Sequence, residues 1–204
     1  TGRATTRAWE AGASRADARF GESVSTAGDV DADGFSDIVV GAPGMRINPS
    51  APVTGAAYLW QGSADGLGVD GTPDNADWAA SGREEHAAFG TSVAVAGDVN
   101  GDGYSDVLVG APAAGATTPM YGRMYVYRGS SSGLLRSALW DVQGETPGDG
   151  FGYSVATAGD VDGDGDAEIG VGAPWASVAG YHENGAVYVY LGSTSSSGPT
   201  MHVR

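Results

Sequence analysis

Asp29-Val30-Asp31-Ala32-Asp33-Gly34-Phe35-Ser36-Asp37 puts side-chain oxygens at its first, third, fifth and ninth positions, around a glycine at the sixth. The pattern returns as Asp98-Val99-Asn100-Gly101-Asp102-Gly103-Tyr104-Ser105-Asp106 and again as Asp160-Val161-Asp162-Gly163-Asp164-Gly165-Asp166-Ala167-Glu168. Oxygen ligands so spaced around a sharp-turning glycine can surround a hard cation. A single copy reads equally well as a solvated turn, because Asp and Gly dominate turns for backbone reasons. Three copies in one register do not, since a turn needs one Asp rather than four inward oxygens.

Each loop sits in a larger frame. Upstream lie Phe-Gly (Phe20, Phe89, Phe151), then Ser-Val, then Ala-Gly-Asp-Val running into the loop. Downstream is a short apolar run closing in Val-Gly-Ala-Pro, at residues 40–43, 109–112 and 171–174. Later come a Gly and two aromatics (Tyr58 and Trp60, Tyr125 and Tyr127, Tyr188 and Tyr190), and finally Gly-Ser at Gly62, Gly129 and Gly192. The Phe-Gly pairs are spaced by 69 and then 62 residues.

The frame predicts strands. Ser92 to Ala96 alternates small and β-branched residues, Val107 to Val109 is a second strand stopped by Pro, and Met124 to Tyr127 is a third. A fourth holds Trp140. The acidic loop joins the first two as a hairpin whose register a bound ion would fix. Trp9, Trp78 and Trp140 each precede the next Phe-Gly by 11 residues, so Trp9 belongs to a fourth strand with no first three before it. The fold class predicted is all-β: a β-propeller of four-stranded blades, three per chain. The divisions are an offset outer strand at 1–11 and blades at 20–81, 89–143 and 151–204. The Phe and Tyr of the frame are expected as packing residues, and the Trp as architectural.

Phe-Gly, the acidic loop and Val-Gly-Ala-Pro together resemble the FG-GAP repeats of integrin α-subunit propellers and their short bacterial relatives. The resemblance covers nearly the whole chain. It implies that ligands come from positions 1, 3, 5 and 9 and from the carbonyl of position 7. These are Asp29, Asp31, Asp33, Asp37 and Phe35 in the first loop. The second supplies Asp98, Asn100, Asp102, Asp106 and Tyr104, and the third Asp160, Asp162, Asp164, Glu168 and Asp166. An EF-hand is excluded, because its twelfth-position Glu is here Val40, Val109 or Val171. Oxygen-only ligands favour Ca²⁺ over zinc or copper, so three Ca²⁺ per chain, in a structural role, are expected. The second loop, one carboxylate short, is expected to bind weakest.

Ten basic and 25 acidic residues leave a net charge of −15, which excludes nucleic acid as a partner. It equally opposes an anionic membrane surface, and no apolar run is long enough to insert. Eleven of the 25 acidic residues are loop carboxylates, so bound cations would offset much of the charge. There is no cysteine, hence no disulfide framework. Weak calcium modules belong where calcium is millimolar, which points to a secreted or cell-surface protein.

The variable stretches at 44–54, 113–121 and 175–184 lie, in the resembled family, on the ligand face opposite the metals. Met45, Arg46, Trp175, Tyr181 and His182 are the candidate contacts there. The ligand is an unspecified protein or glycan. No enzyme is expected, because His86, His182 and His202 hold unrelated places in the frame and no triad or phosphate loop is present. The reading is therefore a calcium-binding integrin-like propeller for binding or adhesion. Its alternatives are a lectin or carbohydrate-active enzyme on the same scaffold, or a fragment of a longer propeller. Three blades leave an open edge, so a homodimer closing a six-bladed ring is expected, with the N-terminal segment able to complete the partner's third blade.

Overall fold

A computed structural model of the chain describes residues 8–46, 48, 50–115, 120–178, 181–193 and 200–201. Residues 1–7 of the expected outer strand, and 202–204, lie outside them. The described strands form three four-stranded antiparallel sheets. The first contains β1 (Ser23–Gly28), β2 (Asp37–Ala42), β3 (Ala56–Trp60) and β4 (Trp78–Ser81). The second contains β5 (Ser92–Gly97), β6 (Asp106–Ala111), β7 (Arg123–Tyr127) and β8 (Trp140–Gln143). The third contains β9 (Ser154–Gly159), β10 (Glu168–Ala173), β11 (Ala186–Leu191) and β12 (Thr200–Met201). Each is a simple meander in chain order. The first strands β1, β5 and β9 lie side by side, so the sheets stack face to face like blades.

Alternation along each strand distributes its side chains between two neighbours. Val107, Val109, Tyr125 and Tyr127 of the middle blade pack with Val39 and Leu59 of the first. Leu108, Met124 and Val126, one residue out of phase, pack with Ile169, Val171 and Tyr190 of the third. The middle blade is thus covered on both faces, and β6 is buried along its whole length. Aromatics repeat at the seams: Trp78 meets Tyr127 at 4.8 Å, Trp140 meets Tyr190 at 5.1 Å and Trp9 meets Trp60 at 5.4 Å, each edge-on.

Two glycine positions explain the spacing of the blades. The Gly of Ala-Gly-Asp-Val, at φ 74° in Gly28, 84° in Gly97 and 71° in Gly159, forms a bulge at the same place in each first hairpin. That bulge turns the chain into the acidic loop. The Gly of Val-Gly-Ala-Pro serves a different need. A Cβ on Gly41 would drive into the carbonyl oxygen of Gly90, and one on Gly110 into that of Gly152. The Phe-Gly of one blade therefore lies directly on the second strand of the blade before it.

Residues 8–20 do not form a strand; Ala11 makes a single bridge to Gly71. They nevertheless cover the outer part of the first blade, with Trp9, Ala18 and Phe20 packed against Tyr58 and Trp60. The fourth place in the third sheet belongs to the chain's own β12, through Met201 opposite Tyr190. The described structure therefore leaves that place without need of a partner's N-terminal segment.

Gly110→Ala should cost about 1–3 kcal/mol through overpacking against the Gly152 carbonyl. Denaturant unfolding should show a lower midpoint with an unchanged slope, and an unaltered midpoint would refute the close approach.

Candidate metal centres

The three acidic loops are built alike. In the first, Asp29 accepts the backbone N–H groups of Asp33 (3.0 Å) and Gly34 (2.9 Å), and Asp33 accepts that of Phe35 (2.8 Å). In the second, Asp98 accepts from Asp102 (3.1 Å) and Gly103 (2.7 Å), and Asp102 from Tyr104 (3.1 Å). In the third, Asp160 accepts from Asp164 (3.1 Å) and Gly165 (3.2 Å), and Asp164 from Asp166 (2.9 Å). Position 1 therefore winds the loop around its own carboxylate, as Asx turns do. The sixth-position Gly34, Gly103 and Gly165 take φ values of 93°, 89° and 100°. Position 4 is also left-handed, at 69° in Gly101 and 81° in Gly163, and Ala32 holds the same conformation at 59° despite its Cβ.

The ninth-position carboxylate is the loop's anchor. Asp37 is 2% exposed, Asp106 and Glu168 0%. Asp37 Oδ2 accepts the N–H of Val30 at 2.9 Å, and its Oδ1 that of Gly62 at 2.8 Å. Asp106 makes the same pair with Val99 and Gly129, and Glu168 with Val161 and Gly192. The Gly of each Gly-Ser pair, the last element of the repeat frame, is thus part of the site. It must be Gly, because a Cβ at 62, 129 or 192 would strike the position-8 carbonyl of Ser36, Ser105 or Ala167. Burial pushes the Asp37 carboxyl up, and pushes that of Asp106 up to about 7, against the two N–H donors that lower it.

The residues present fit a hard cation. Carboxylate oxygens of Asp29, Asp31 and Asp33 lie within 4.8 Å of one another, as do those of Asp160, Asp162 and Glu168. Asp31 Oδ1 is buried with no hydrogen-bond partner. Burial first, and then the charge of Asp33, hold the Asp31 carboxyl above its ordinary range. A divalent ion would satisfy the orphaned oxygen and quench that repulsion, and all-oxygen donors suit calcium chemistry. The position-7 residues differ in exposure: Phe35 is 41% exposed, whereas Asp166 is buried at 7%.

A profile of the FG-GAP repeat matches residues 20–60, 89–127 and 151–190. The chain belongs to the FG-GAP repeat family. It is 34% identical over 167 residues to integrin alpha-6 of Gallus gallus, covering 78% of this chain and 14% of that protein. To integrin alpha-3 of Mus musculus it is 36% identical over 143 residues, or 68% and 12% of the two chains. It is also 38% identical over 116 residues to phosphatidylinositol-glycan-specific phospholipase D of Mus musculus, covering 56% and 14%. The chain thus spans a small fraction of the length of these relatives.

The residue before each Gly-Ser pair distinguishes this chain's three FG-GAP loops. Gln61 Nε2 donates to Asp31 Oδ2 at 2.5 Å. In the second repeat the same place holds Arg128, whose Nε lies 3.9 Å from Asp102 Oδ2. Leu191 occupies it in the third. A guanidinium beside a loop already short of one carboxylate competes with any entering cation.

The five expected ligand contacts do not converge. Met45 is a correction: at 2% exposure it fills the core under the first blade instead of facing solvent, because its apolar side chain packs with Tyr58 and Trp60. Met45 and Arg46 border a cavity of about 270 Å³ with Arg15 and Tyr58, and Arg46 donates to the Ala51 carbonyl at 2.8 Å. Trp175, 47% exposed, stands edge-on to Tyr153 at 5.2 Å in a second cavity of about 280 Å³. Arg19, Glu22 and Met120 complete that wall. Tyr181 and His182 are exposed on their loop, Tyr181 at 69%. Arg19, Met120 and Tyr153 went unnoticed in sequence because only folding brings them to Trp175. Among the described residues, no helix is long and apolar enough to cross a membrane.

Two outcomes follow from these loops. Arg128→Ala should strengthen cation binding at the second loop roughly 1.5- to 5-fold, as loss of a part-exposed competing charge allows. Isothermal calorimetry should show the other two sites unchanged. The second concerns pH. Asp106 binds its proton more tightly folded than unfolded, so calcium-free protein loses stability as pH rises from about 4 through about 7. Melting in EGTA between pH 5 and 8 should show the midpoint falling with pH, with a shallower slope in Asp106→Asn. In saturating calcium the slope should reverse, because protons then compete with the ion.

Proposed function

We propose that the chain is a calcium-stabilised, integrin-like propeller module for binding or adhesion, secreted or displayed at a cell surface. Up to three Ca²⁺ ions hold its loops, at Asp29, Asp31, Asp33 and Asp37 with the Phe35 carbonyl, and at the equivalent residues of the other two repeats. The metals are structural. The observation that carries this reading is the buried, partnerless Asp31 Oδ1 among three crowded carboxylates, a geometry that is costly without a cation. When bound, the ion supplies positive charge and oxygen coordination. The chain's own residues do the rest: position 9 ties the loop to Gly-Ser, and position 1 winds it.

Ligand contact is assigned to the opposite face, where Trp175 and Tyr153 form an aromatic corner beside Arg19 and Glu22. A protein ligand is the first reading, in keeping with the integrin relatives. A glycan is the second, because an edge-to-face aromatic corner flanked by charged side chains also suits a sugar ring. Catalysis is not part of the proposal, since no pair of histidines shares a repeat position to build a recurrent site.

Calcium at about 100-fold excess over Kd should add roughly 2.7 kcal/mol per site. Calorimetric titration together with melting in calcium and in EGTA tests this. Asp31→Asn should remove one binding event and part of the stabilisation. A midpoint indifferent to EGTA, with no binding heat, would end the reading.

A further inference from the structure

The third blade exposes a face that the repeat buries wherever another blade follows. Val30 of the first blade and Val99 of the second are both 0% exposed; the equivalent Val161 is 60% exposed. Ala57 and Met124 are likewise 0% exposed, and their equivalent Val187 is 76% exposed. The opposite end of the chain shows the complementary defect. Val93 and Val155, on the strands that dock onto a preceding blade, are 4% and 7% exposed, while the equivalent Val24 is 60% exposed.

The polar half of the joint follows the same rule. The carbonyls of Asp29 and Val30 accept N–H groups from Ser105 (3.1 Å) and Ser130 (3.0 Å) of the next blade. Those of Asp98 and Val99 accept from Ala167 and Ser193, both at 2.9 Å. Ser23 Oγ accepts the Val93 N–H at 2.9 Å, and Ser92 Oγ that of Val155 at 3.1 Å. In the third blade these places fall to Asp160, Val161 and Ser154, all exposed residues. Finally, Gly41 and Gly110 lie under the carbonyls of Gly90 and Gly152, whereas a Cβ on Gly172 would meet only the Ser154 side chain and backbone of its own blade.

We propose that the open face of the third blade seats the first blade of a second copy of this chain, through the same joint that links the three blades internally. The occupant is argued from complementarity: the exposed faces of the third and first blades are the two halves of one joint, each presenting what the other lacks. The N-terminal segment already covers the outer part of the first blade, as residues 78–89 cover the second, so the inner part around Val24 is what remains to be filled. In the pair, the Val24 N–H meets Ser154 Oγ, and the N–H groups of Ser36 and Ser63 meet the carbonyls of Asp160 and Val161. Two such contacts related by a two-fold axis close a ring of six blades, within the range of roughly 4–8 that propellers adopt. Calcium is not required for this argument.

The test is light scattering coupled to size exclusion on the 204-residue chain at tens of micromolar, with melting as a control for folding. The wild type should run at twice the 20.4 kDa chain mass. Val187→Glu and Val24→Glu change side chains that are exposed in the single chain, so each should halve the mass and leave the protein folded. Val161→Glu places a charge on the exposed face of the third blade, at a position that is 0% exposed in Val30 and Val99, and it too should yield monomer. A folded wild-type monomer would overturn the proposal. So would a dimer indifferent to all three substitutions, or a ladder of larger species in place of a closed pair.

Discussion

Everything in each repeat is organised around one buried carboxylate. Asp37, Asp106 and Glu168 each accept two backbone N–H groups, one from the start of the acidic loop and one from the Gly that ends the third strand. The carboxylate thereby ties the first hairpin to the far end of the meander, across a separation of 25 residues in the first blade. Removing it from water opposes ionisation, and the two donors only partly compensate, which is why Asp106 sits near neutrality in its affinity for a proton. A cation bound in the loop would supply the partner that this balance lacks. It would restore the charge of the anchor and satisfy the neighbouring oxygens together.

The same loops also form the rail on which the next blade lies. The first two carbonyls of the first and second loops accept N–H groups from the neighbouring blade, while the carboxylates of positions 1, 3 and 5 of the first loop gather together. Backbone order within the loop and docking between blades therefore share atoms. An ion that stiffens the loop also fixes two hydrogen bonds to the adjoining blade. A bound metal would thereby be coupled to inter-blade stability through geometry alone.

The frame was legible because each of its elements answers a local need at a fixed period. The strands, their order, the packing role of Tyr125, Tyr127 and Tyr190, and the family all followed from motifs spaced by 69 and 62 residues. What could not be read depends on contacts between distant residues. Met45 looked like a loop residue and proved to be core, because the covering segment at 8–20 is invisible to periodicity. The Gly of Gly-Ser looked like punctuation and proved to be forced by a carbonyl from another strand. Gln61, Arg128 and Leu191 break the repeat, so their shared place over the loops gave no signal. Trp175 was singled out alone; its neighbours Met120 and Arg19 come from elsewhere in the chain, and Tyr153 from the opposite end of the first hairpin of its own repeat.

Because the seam between blades is made of the same few atoms each time, it carries no label saying which blade is which. Val99 can serve as the floor for the third blade in just the way that Val30 serves the second. Insertion or loss of one whole unit would leave every remaining seam intact, whereas a partial insertion would destroy two. Gene duplication in steps of a complete repeat is thus the cheap route by which such a chain changes its size.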